Sequence, residues 1–160
     1  MEKVLFELAH VLGKGLRTKG KVVATAESCT GGWIAQCITE IPGSSAWFDR
    51  GFVTYSNSAK TQMLGVKSAT LETYGAVSAE TVEEMVMGAL AGSNADIATA
   101  VTGIAGPEGG TAEKPVGTVF IAWADKGGAI KVEKYLFLGN RHQIRAQTVQ
   151  SAIQGLSEFC

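Results

Sequence analysis

The chain has 160 residues, 46% of them apolar and 18% charged, which suits about one globular domain and excludes disorder for the bulk of it. Lys and Arg number 14 against 15 Asp and Glu, and the net charge of −1 provides no overall field for nucleic acid or an anionic membrane. Binding to either partner is therefore not expected.

The cysteines and the N-terminus bear on location. The three cysteines are scattered and contain no CxxC pair, so they indicate neither a disulfide framework nor a zinc site and fit a reducing cytoplasm. The opening stretch MEKVLFELAHVLGKGL is interrupted by Glu7 and His10, which is not typical of a signal peptide. No apolar run approaches the ~18 residues of a membrane span.

The first half of the chain alternates helical and extended patterns. Apolar residues at helical spacing predict a helix over about residues 3–17, and KVVATA at 21–26 predicts a strand. A tight turn at 27–32 leads into a second helix. Residues 47–55 predict another strand, after which Ser or Asn in 56–58 caps a helix that begins near Lys60.

The second half continues with two helices, at 68–74 and 78–90, and a buried strand at 95–101. A glycine-rich loop at 102–110 follows that strand. Strands at 116–124 and 130–138 form a hairpin, and Asn140 caps the last helix. The elements predict a single α/β domain over residues 1–160: a three-layer α/β/α sandwich with a mixed sheet of about five strands, mixed because the hairpin requires an antiparallel pair.

Three polar stretches follow predicted strands, where open α/β sheets bind their ligands. Ser28 lies where the first strand turns into a helix, so its hydroxyl is displayed at the sheet edge. The amides of Cys29, Thr30 and Gly31 would then point from a helix N-terminus at a bound group, as in an oxyanion hole or an anion cradle. The alternative is that Ser28 or Thr30 only caps the helix.

A nucleophilic serine needs a base, and neither histidine suits this role. His10 lies on the first helix and His142 beside Arg141, and both are interpreted as surface residues. Lys60 is the alternative base, because the dipole at a helix start eases removal of its proton. Tyr55 is placed to hydrogen-bond Ser28 or Lys60. A solvated lysine and a packed tyrosine remain the alternatives.

Arg141 and Arg145 share a face on the first turns of the last helix. Their charges repel each other and oppose the helix dipole, at a cost in stability unless an anion lies between them. A phosphate would fit there. The alternative is that both arginines are solvated.

A specific combination of motifs runs through nearly the whole chain: AESCTGG at 26–32, GFVTYSN at 51–57 followed by Lys60, and TGIAGP at 102–107 followed by KPVGTV at 114–119. In this order they resemble the CinA C-terminal family of nicotinamide-nucleotide amidohydrolases, in its stand-alone form. The resemblance implies hydrolysis of the carboxamide of nicotinamide mononucleotide to nicotinic acid mononucleotide and ammonia, without a metal or other cofactor. A homo-oligomer is compatible with it.

The resemblance also assigns roles to residues. Ser28 is the implied nucleophile, Lys60 its base and Tyr55 a proton relay or orienting group. The implied oxyanion and substrate-binding residues are Cys29, Thr30, Gly31, Gly32, Thr102, Gly103 and Gly106, and Arg141 and Arg145 take the phosphate.

Two other functions stay open. One is a non-catalytic nucleotide-binding or regulatory domain linked to competence or DNA damage, in which the serine is only a cap. The other is a Ser-Lys hydrolase acting on another small amide or ester. A pure binding module has no need of a lysine placed against a serine, so the residues favour an enzyme.

Overall fold

The computed structural model describes residues 2–160, and within that range the predicted order of helices and strands is confirmed. The helices are α1 (Glu2–Lys19), α2 (Trp33–Thr39), α3 (Asn57–Leu64), α4 (Ser68–Tyr74), α5 (Ala79–Ala91) and α6 (Arg141–Phe159). The strands are β1 (Val23–Glu27), β2 (Phe48–Val53), β3 (Ile97–Gly103), β4 (Thr118–Asp125) and β5 (Ile130–Leu136), and a short 3-10 helix covers Ser44–Ala46. No helix of the described range is both long and apolar enough to cross a membrane.

The five strands form one mixed sheet in the order β2-β1-β3-β4-β5. Strand β1 pairs in parallel with β2 and β3, whereas β3 pairs with β4 and β4 with β5 in antiparallel fashion. The predicted hairpin accounts for only one of these two antiparallel pairs. The other arises because β3 and β4 are joined by a loop at 104–117 and no crossover helix intervenes, so the chain returns antiparallel.

The two faces of the sheet carry side chains of different size. Helices α1, α2 and α6 cover large residues, and α3, α4 and α5 cover mostly small ones, which confirms the three-layer sandwich. Small side chains allow a helix to lie close to the sheet. The face under α1, α2 and α6 includes Val23, Ile97, Val101, Val119, Ile121 and Trp123, and the opposite face Ala24, Ala26, Ala98, Ala100, Ala122 and Ala124.

One edge of the sheet collects the polar stretches found in the sequence. Strands β1, β2 and β3 are parallel, so the segments after Glu27, Val53 and Gly103 leave the sheet on the same side. Because β4 and β5 run antiparallel, β4 begins and β5 ends at that edge, and α6 starts nearby. The predicted convergence of the strand ends is therefore confirmed.

Candidate active site

Ser28 and Lys60 form a buried pair at this edge. The Lys60 Nζ donates to the Ser28 Oγ at 3.0 Å, and also to the main-chain carbonyls of Thr54 at 3.0 Å and Tyr55 at 3.4 Å. The side chain of Lys60 is only 1% exposed and Ser28 is 8% exposed. A lysine this buried is not the solvated surface residue of the alternative interpretation, and its amine is within proton-transfer distance of the hydroxyl.

The proton on Lys60 is destabilised, though not mainly by the helix end. Helix α3 begins at Asn57, with Ser56 as its cap, so Lys60 lies four residues into the helix and the predicted start at Lys60 is wrong. Burial, which disfavours the charged form, holds the pKa of Lys60 below its ordinary value. Within residues 2–160 no carboxylate forms a salt bridge with it.

The turn after Ser28 is organised around Glu27, a residue the sequence did not single out as functional. Its carboxylate is 1% exposed and accepts hydrogen bonds from the Thr30 hydroxyl at 2.5 Å and from main-chain amides at the start of α2. Those amides are Gly32 at 3.2 Å, Ile34 at 2.9 Å and Ala35 at 3.1 Å. The negative carboxylate therefore occupies the positive end of this helix.

Glu27 changes what the turn can offer a substrate. Helix α2 begins at Trp33, after the predicted turn, so the amides of Cys29, Thr30 and Gly31 belong to the turn and not to a helix N-terminus. Gly31 and Gly32 have positive φ angles of 61° and 106°, which let the chain fold back over Glu27. The Gly31 amide donates to the Ser28 carbonyl at 3.0 Å. Among the described residues, only the Cys29 and Thr30 amides of this turn find no protein acceptor.

Cys29 follows the serine and is buried, with 7% of its surface exposed. Burial, with a smaller contribution from Glu27, raises the pKa of its thiol to about 12, so at neutral pH it stays protonated. A protonated thiol is a poor nucleophile. Of the two neighbouring residues, Ser28 is therefore the better candidate nucleophile, and Cys29 contributes its main chain.

Tyr55 and Arg141 meet at the mouth of the site. Tyr55 is 60% exposed, and its hydroxyl accepts from a guanidinium NH of Arg141 at 3.1 Å. The expected hydrogen bond from its hydroxyl to Ser28 or Lys60 is absent from the described residues. The contact with Lys60 runs instead through the Tyr55 carbonyl. Arg141 also donates to the Gly106 carbonyl at 2.8 Å.

The second arginine is used differently. Arg145 donates to the carbonyls of Cys29 at 3.0 Å and Thr30 at 3.1 Å, and its guanidinium lies 5.5 Å from the Trp33 ring centre. Arg145 therefore stabilises the turn after Ser28 through its carbonyls, while the Glu27 carboxylate stabilises it through the Thr30 hydroxyl and the amides that lead into α2. The expectation that both arginines flank one anion does not fit this arrangement, and only Arg141 faces the site.

The glycine-rich loop supplies the far wall. Thr102 is 1% exposed and its hydroxyl donates to the Ala76 carbonyl at 2.8 Å. Gly103 and Gly106 are tightly packed, because a Cβ would lie 2.6 Å from Val119 Cγ2 at the first and 2.4 Å from Val116 Cγ1 at the second. Gly103 therefore allows the end of β3 to lie close to β4, and Gly106 allows the two arms of the 104–117 loop to lie close together.

A cavity of about 210 Å³ opens above the Ser28–Lys60 pair. Its lining carries the Arg141 guanidinium and the Lys60 amine and no carboxylate, so it suits a substrate with negative charge. The lining residues are Ser28, Cys29, Tyr55, Asn57, Lys60, Ala76, Val77, Thr102, Gly103, Ala105 and Arg141.

Residues 5–160 match the family model of the CinA C-terminal domain. This chain belongs to the CinA C-terminal domain family. It is 55% identical over 159 residues to the nicotinamide-nucleotide amidohydrolase PncC of Enterobacter agglomerans, covering 99% of this chain and 97% of that protein. It is 52% identical to the protein of the same name in Escherichia coli K12, over 95% of this chain and 92% of that one.

The fold is also that of solved structures. The competence/damage inducible protein CihA from Agrobacterium tumefaciens matches this CinA C-terminal domain with a TM-score of 0.94 and 50% identity, covering 96% of this chain and 93% of the other. The predicted family resemblance is confirmed.

The residues predicted from the sequence divide into two groups in this CinA C-terminal domain. Those around the cavity are Ser28, Cys29, Tyr55, Lys60, Thr102, Gly103 and Arg141, and those outside its lining are Thr30, Gly31, Gly32, Gly106 and Arg145. Sequence reasoning missed Glu27, although the strand pattern predicts the direction in which its side chain points. Val23, Thr25 and Glu27 alternate toward one face of β1, so the acid points at the helix that follows.

Proposed function

We propose that this chain hydrolyses the carboxamide of nicotinamide mononucleotide, giving nicotinic acid mononucleotide and ammonia. The observation that carries the proposal is the buried Lys60 amine 3.0 Å from the Ser28 hydroxyl, on the floor of a cavity without carboxylates. The similarity to proteins named nicotinamide-nucleotide amidohydrolase supports the substrate. We also propose that the reaction recycles pyridine nucleotides in the cytoplasm. The protein would then bind neither nucleic acid nor a membrane.

Acylation begins when the neutral Lys60 amine removes the proton of Ser28. The Oγ attacks the carboxamide carbon, and the carbonyl electrons move to oxygen to form a tetrahedral oxyanion. The Cys29 and Thr30 amides, which have no protein acceptor within residues 2–160, are the candidate donors to this oxyanion. When the intermediate collapses, the C–N bond breaks and the Lys60 ammonium returns the proton to nitrogen, so ammonia leaves.

Deacylation repeats the same steps with water. Lys60, again neutral, takes a proton from a water molecule, whose oxygen attacks the Ser28 ester. The C–O bond to Ser28 breaks, the serine recovers its proton from Lys60, and the nicotinate carboxylic acid is released and ionises. A low pKa suits Lys60 to this cycle, because it must be neutral before each attack and charged after it.

Substrate charge is matched at the mouth of the cavity. Arg141 is exposed there, and its guanidinium lies against the phenol of Tyr55, so we assign the phosphate to Arg141 and an orienting role to Tyr55. The proton-relay role of Tyr55 loses support, because its hydroxyl bonds Arg141.

The decisive experiment measures ammonia release from nicotinamide mononucleotide, with free nicotinamide as the control substrate. The wild-type protein should act on the nucleotide. Ser28→Ala should lose more than about a hundredfold in kcat, because no nucleophile remains, with substrate binding and melting temperature nearly unchanged. Lys60→Arg should lose activity similarly, since a guanidinium does not deprotonate at working pH.

Two results would contradict this function. Binding of the mononucleotide without ammonia release would favour the regulatory domain. Release from an unrelated amide or ester, with none from the mononucleotide, would favour a different Ser-Lys hydrolase. An active Lys60→Arg enzyme would remove Lys60 from the role of base.

A further inference from the structure

One wall of the cavity is a short strap, residues 74–77, that joins α4 to α5. Ala76 and Val77 of this strap line the same cavity as Ser28. The strap belongs to no helix or strand beyond Tyr74, the last residue of α4. Its position is therefore set by whatever holds its main chain.

Side chains hold all four carbonyls of the strap. The Gly75 carbonyl accepts from the hydroxyls of Ser78 at 2.9 Å and Thr81 at 2.7 Å, which belong to the adjoining start of α5. The Ala76 carbonyl accepts from Thr102. The two outer carbonyls, of Tyr74 at 3.0 Å and Val77 at 2.6 Å, both accept from the Nζ of Lys114.

Lys114 reaches the strap from the opposite wall. It lies in the loop at 104–117, which lines the cavity through Ala105. Its own main chain is braced, because its amide donates to the Thr111 hydroxyl at 3.0 Å and its carbonyl accepts from the Thr111 amide at 2.9 Å. In residues 2–160 no carboxylate pairs with the Lys114 ammonium. Its hydrogen bonds go to the strap.

We propose that Lys114 is a positioning residue that fixes the gap between the two walls of the cavity. One cation bridging both ends of the strap sets how far Ala76 and Val77 stand from the glycine-rich loop. That gap receives the flat aromatic carboxamide and presents its carbon to Ser28. The inference rests on the proposed function for the identity of that group.

The test compares Lys114→Met, which lacks the donor nitrogen, with Lys114→Arg, which keeps donors. Lys67→Met is the matched control, since Lys67 is an exposed lysine at the start of α4 whose side chain forms no hydrogen bond within the described range. Lys114→Met should raise KM for nicotinamide mononucleotide by about tenfold or more, because a released strap would leave only about a tenth of the molecules with a gap that accepts the substrate. Lys114→Arg should keep KM close to the wild-type value, because it keeps donors. Lys67→Met should have the KM of wild type.

Two further readouts separate positioning from loss of structure. The pH midpoint of kcat should not move, because the surroundings of Lys60 are unchanged. Amide hydrogen exchange of peptides covering 74–82, where the amides of Gly75, Thr81 and Val82 are hydrogen-bonded, should accelerate in Lys114→Met and stay slow elsewhere. If that variant does not fold, Lys114→Gln, which keeps a shorter donor, gives the same comparison with a smaller change.

The proposal is overturned if Lys114→Met keeps KM within about twofold of wild type, because most molecules would then offer the gap without Lys114. Unchanged exchange at 74–82, or an equal rise of KM in Lys67→Met, would also overturn it. A wild-type protein that releases no ammonia would contradict the proposed function instead. The exchange comparison needs no turnover and would still decide whether Lys114 holds the strap.

Discussion

Thr25 and Thr99 are register partners on β1 and β3, and neither has any exposed surface. They differ in one hydrogen bond. The Thr99 hydroxyl donates to the Ala122 carbonyl at 3.0 Å, whereas the Thr25 hydroxyl has no partner among the described residues. A buried hydroxyl without a partner carries the full cost of desolvation.

The pair gives a matched stability prediction. Thr25→Val should raise the free energy of unfolding by about 1 kcal/mol, because it replaces an unsatisfied hydroxyl with a methyl group. Thr99→Val should lower it by about 1 kcal/mol, because it removes a satisfied bond. Urea unfolding of both variants measures the difference. A loss of stability in Thr25→Val equal to that in Thr99→Val would show that the Thr25 hydroxyl is bonded.

Lys60 makes stability depend on pH. Its lowered pKa means that the unfolded chain holds this proton to higher pH than the folded protein does. Between the lowered folded-state pKa and about 10.4, the unfolded state binds more protons, so the free energy of unfolding rises with pH. Below that window both states are protonated and the cost of burying the charge is constant.

We therefore expect wild type to gain stability relative to Lys60→Met as pH rises through this window. The difference between their free energies of unfolding should increase by at most about 1.4 kcal/mol per pH unit. Urea unfolding of both proteins at several pH values from 7 to 10 measures it. A constant difference would mean that the buried lysine titrates at its ordinary pH.

Single residues differ in how far the sequence predicted them. The roles of Ser28 and Lys60 came from the resemblance of their motifs to the CinA C-terminal family, since their positions alone left a helix cap and a solvated lysine open. Glu27 was not predicted, because its role depends on amides at the start of α2 that fold back over its carboxylate. Hydrogen-bond partners such as those of Tyr55 depend on contacts between distant segments, which no local pattern contains.

At the scale of elements, the start of α6 separates two arginines that the sequence treated alike. Asn140 caps this helix, as predicted, and Gln143 completes a capping box with it. From the first turns, Arg141 turns toward the cavity and Arg145 toward the carbonyls after Ser28. One helix therefore contributes to both the mouth of the cavity and the turn after Ser28.

This division predicts that the same substitution acts mainly on stability at Arg145 and mainly on KM at Arg141. Arg145→Met should lower the free energy of unfolding by about 1 to 3 kcal/mol, because two charge-assisted bonds to the turn are lost. Arg141→Met should cost less stability but raise KM for the mononucleotide about tenfold, with little effect on the riboside, which lacks the phosphate. Thermal unfolding and steady-state kinetics of both variants check this. Exchanged effects would place the phosphate at Arg145.

Element boundaries were predicted less well than element types. Ser68–Tyr74 agrees with its pattern, whereas β3 extends to Gly103, two residues beyond the predicted strand. The extension arises because residues up to Gly103 pair with β4, and pairing depends on the neighbouring strand. The antiparallel β3–β4 pair was missed for the same reason, since a glycine-rich loop does not reveal the direction in which the chain returns.

At the scale of the whole molecule, the three-layer fold followed from the order of elements, and the site followed from parallel strand ends meeting at one edge. The sequence did not reveal how these segments pack against one another to form the walls of the cavity. The strap at 74–77 looked like a plain connection between helices, yet it bounds the cavity.

The register of the sheet also has a consequence during synthesis. Strand β1 lies between β2 and β3, and its Val23 must pair with Ile97, which a ribosome adds much later. Until then, one edge of β1 is open in the growing chain, a state that invites association with other chains. The sequence of β1, VATAE, is short, small in its side chains and ends in an acid, features that make a poor aggregation nucleus. The acid at the end of β1, which later organises the turn after Ser28, is thus one of the features that disfavour association of the unfinished chain.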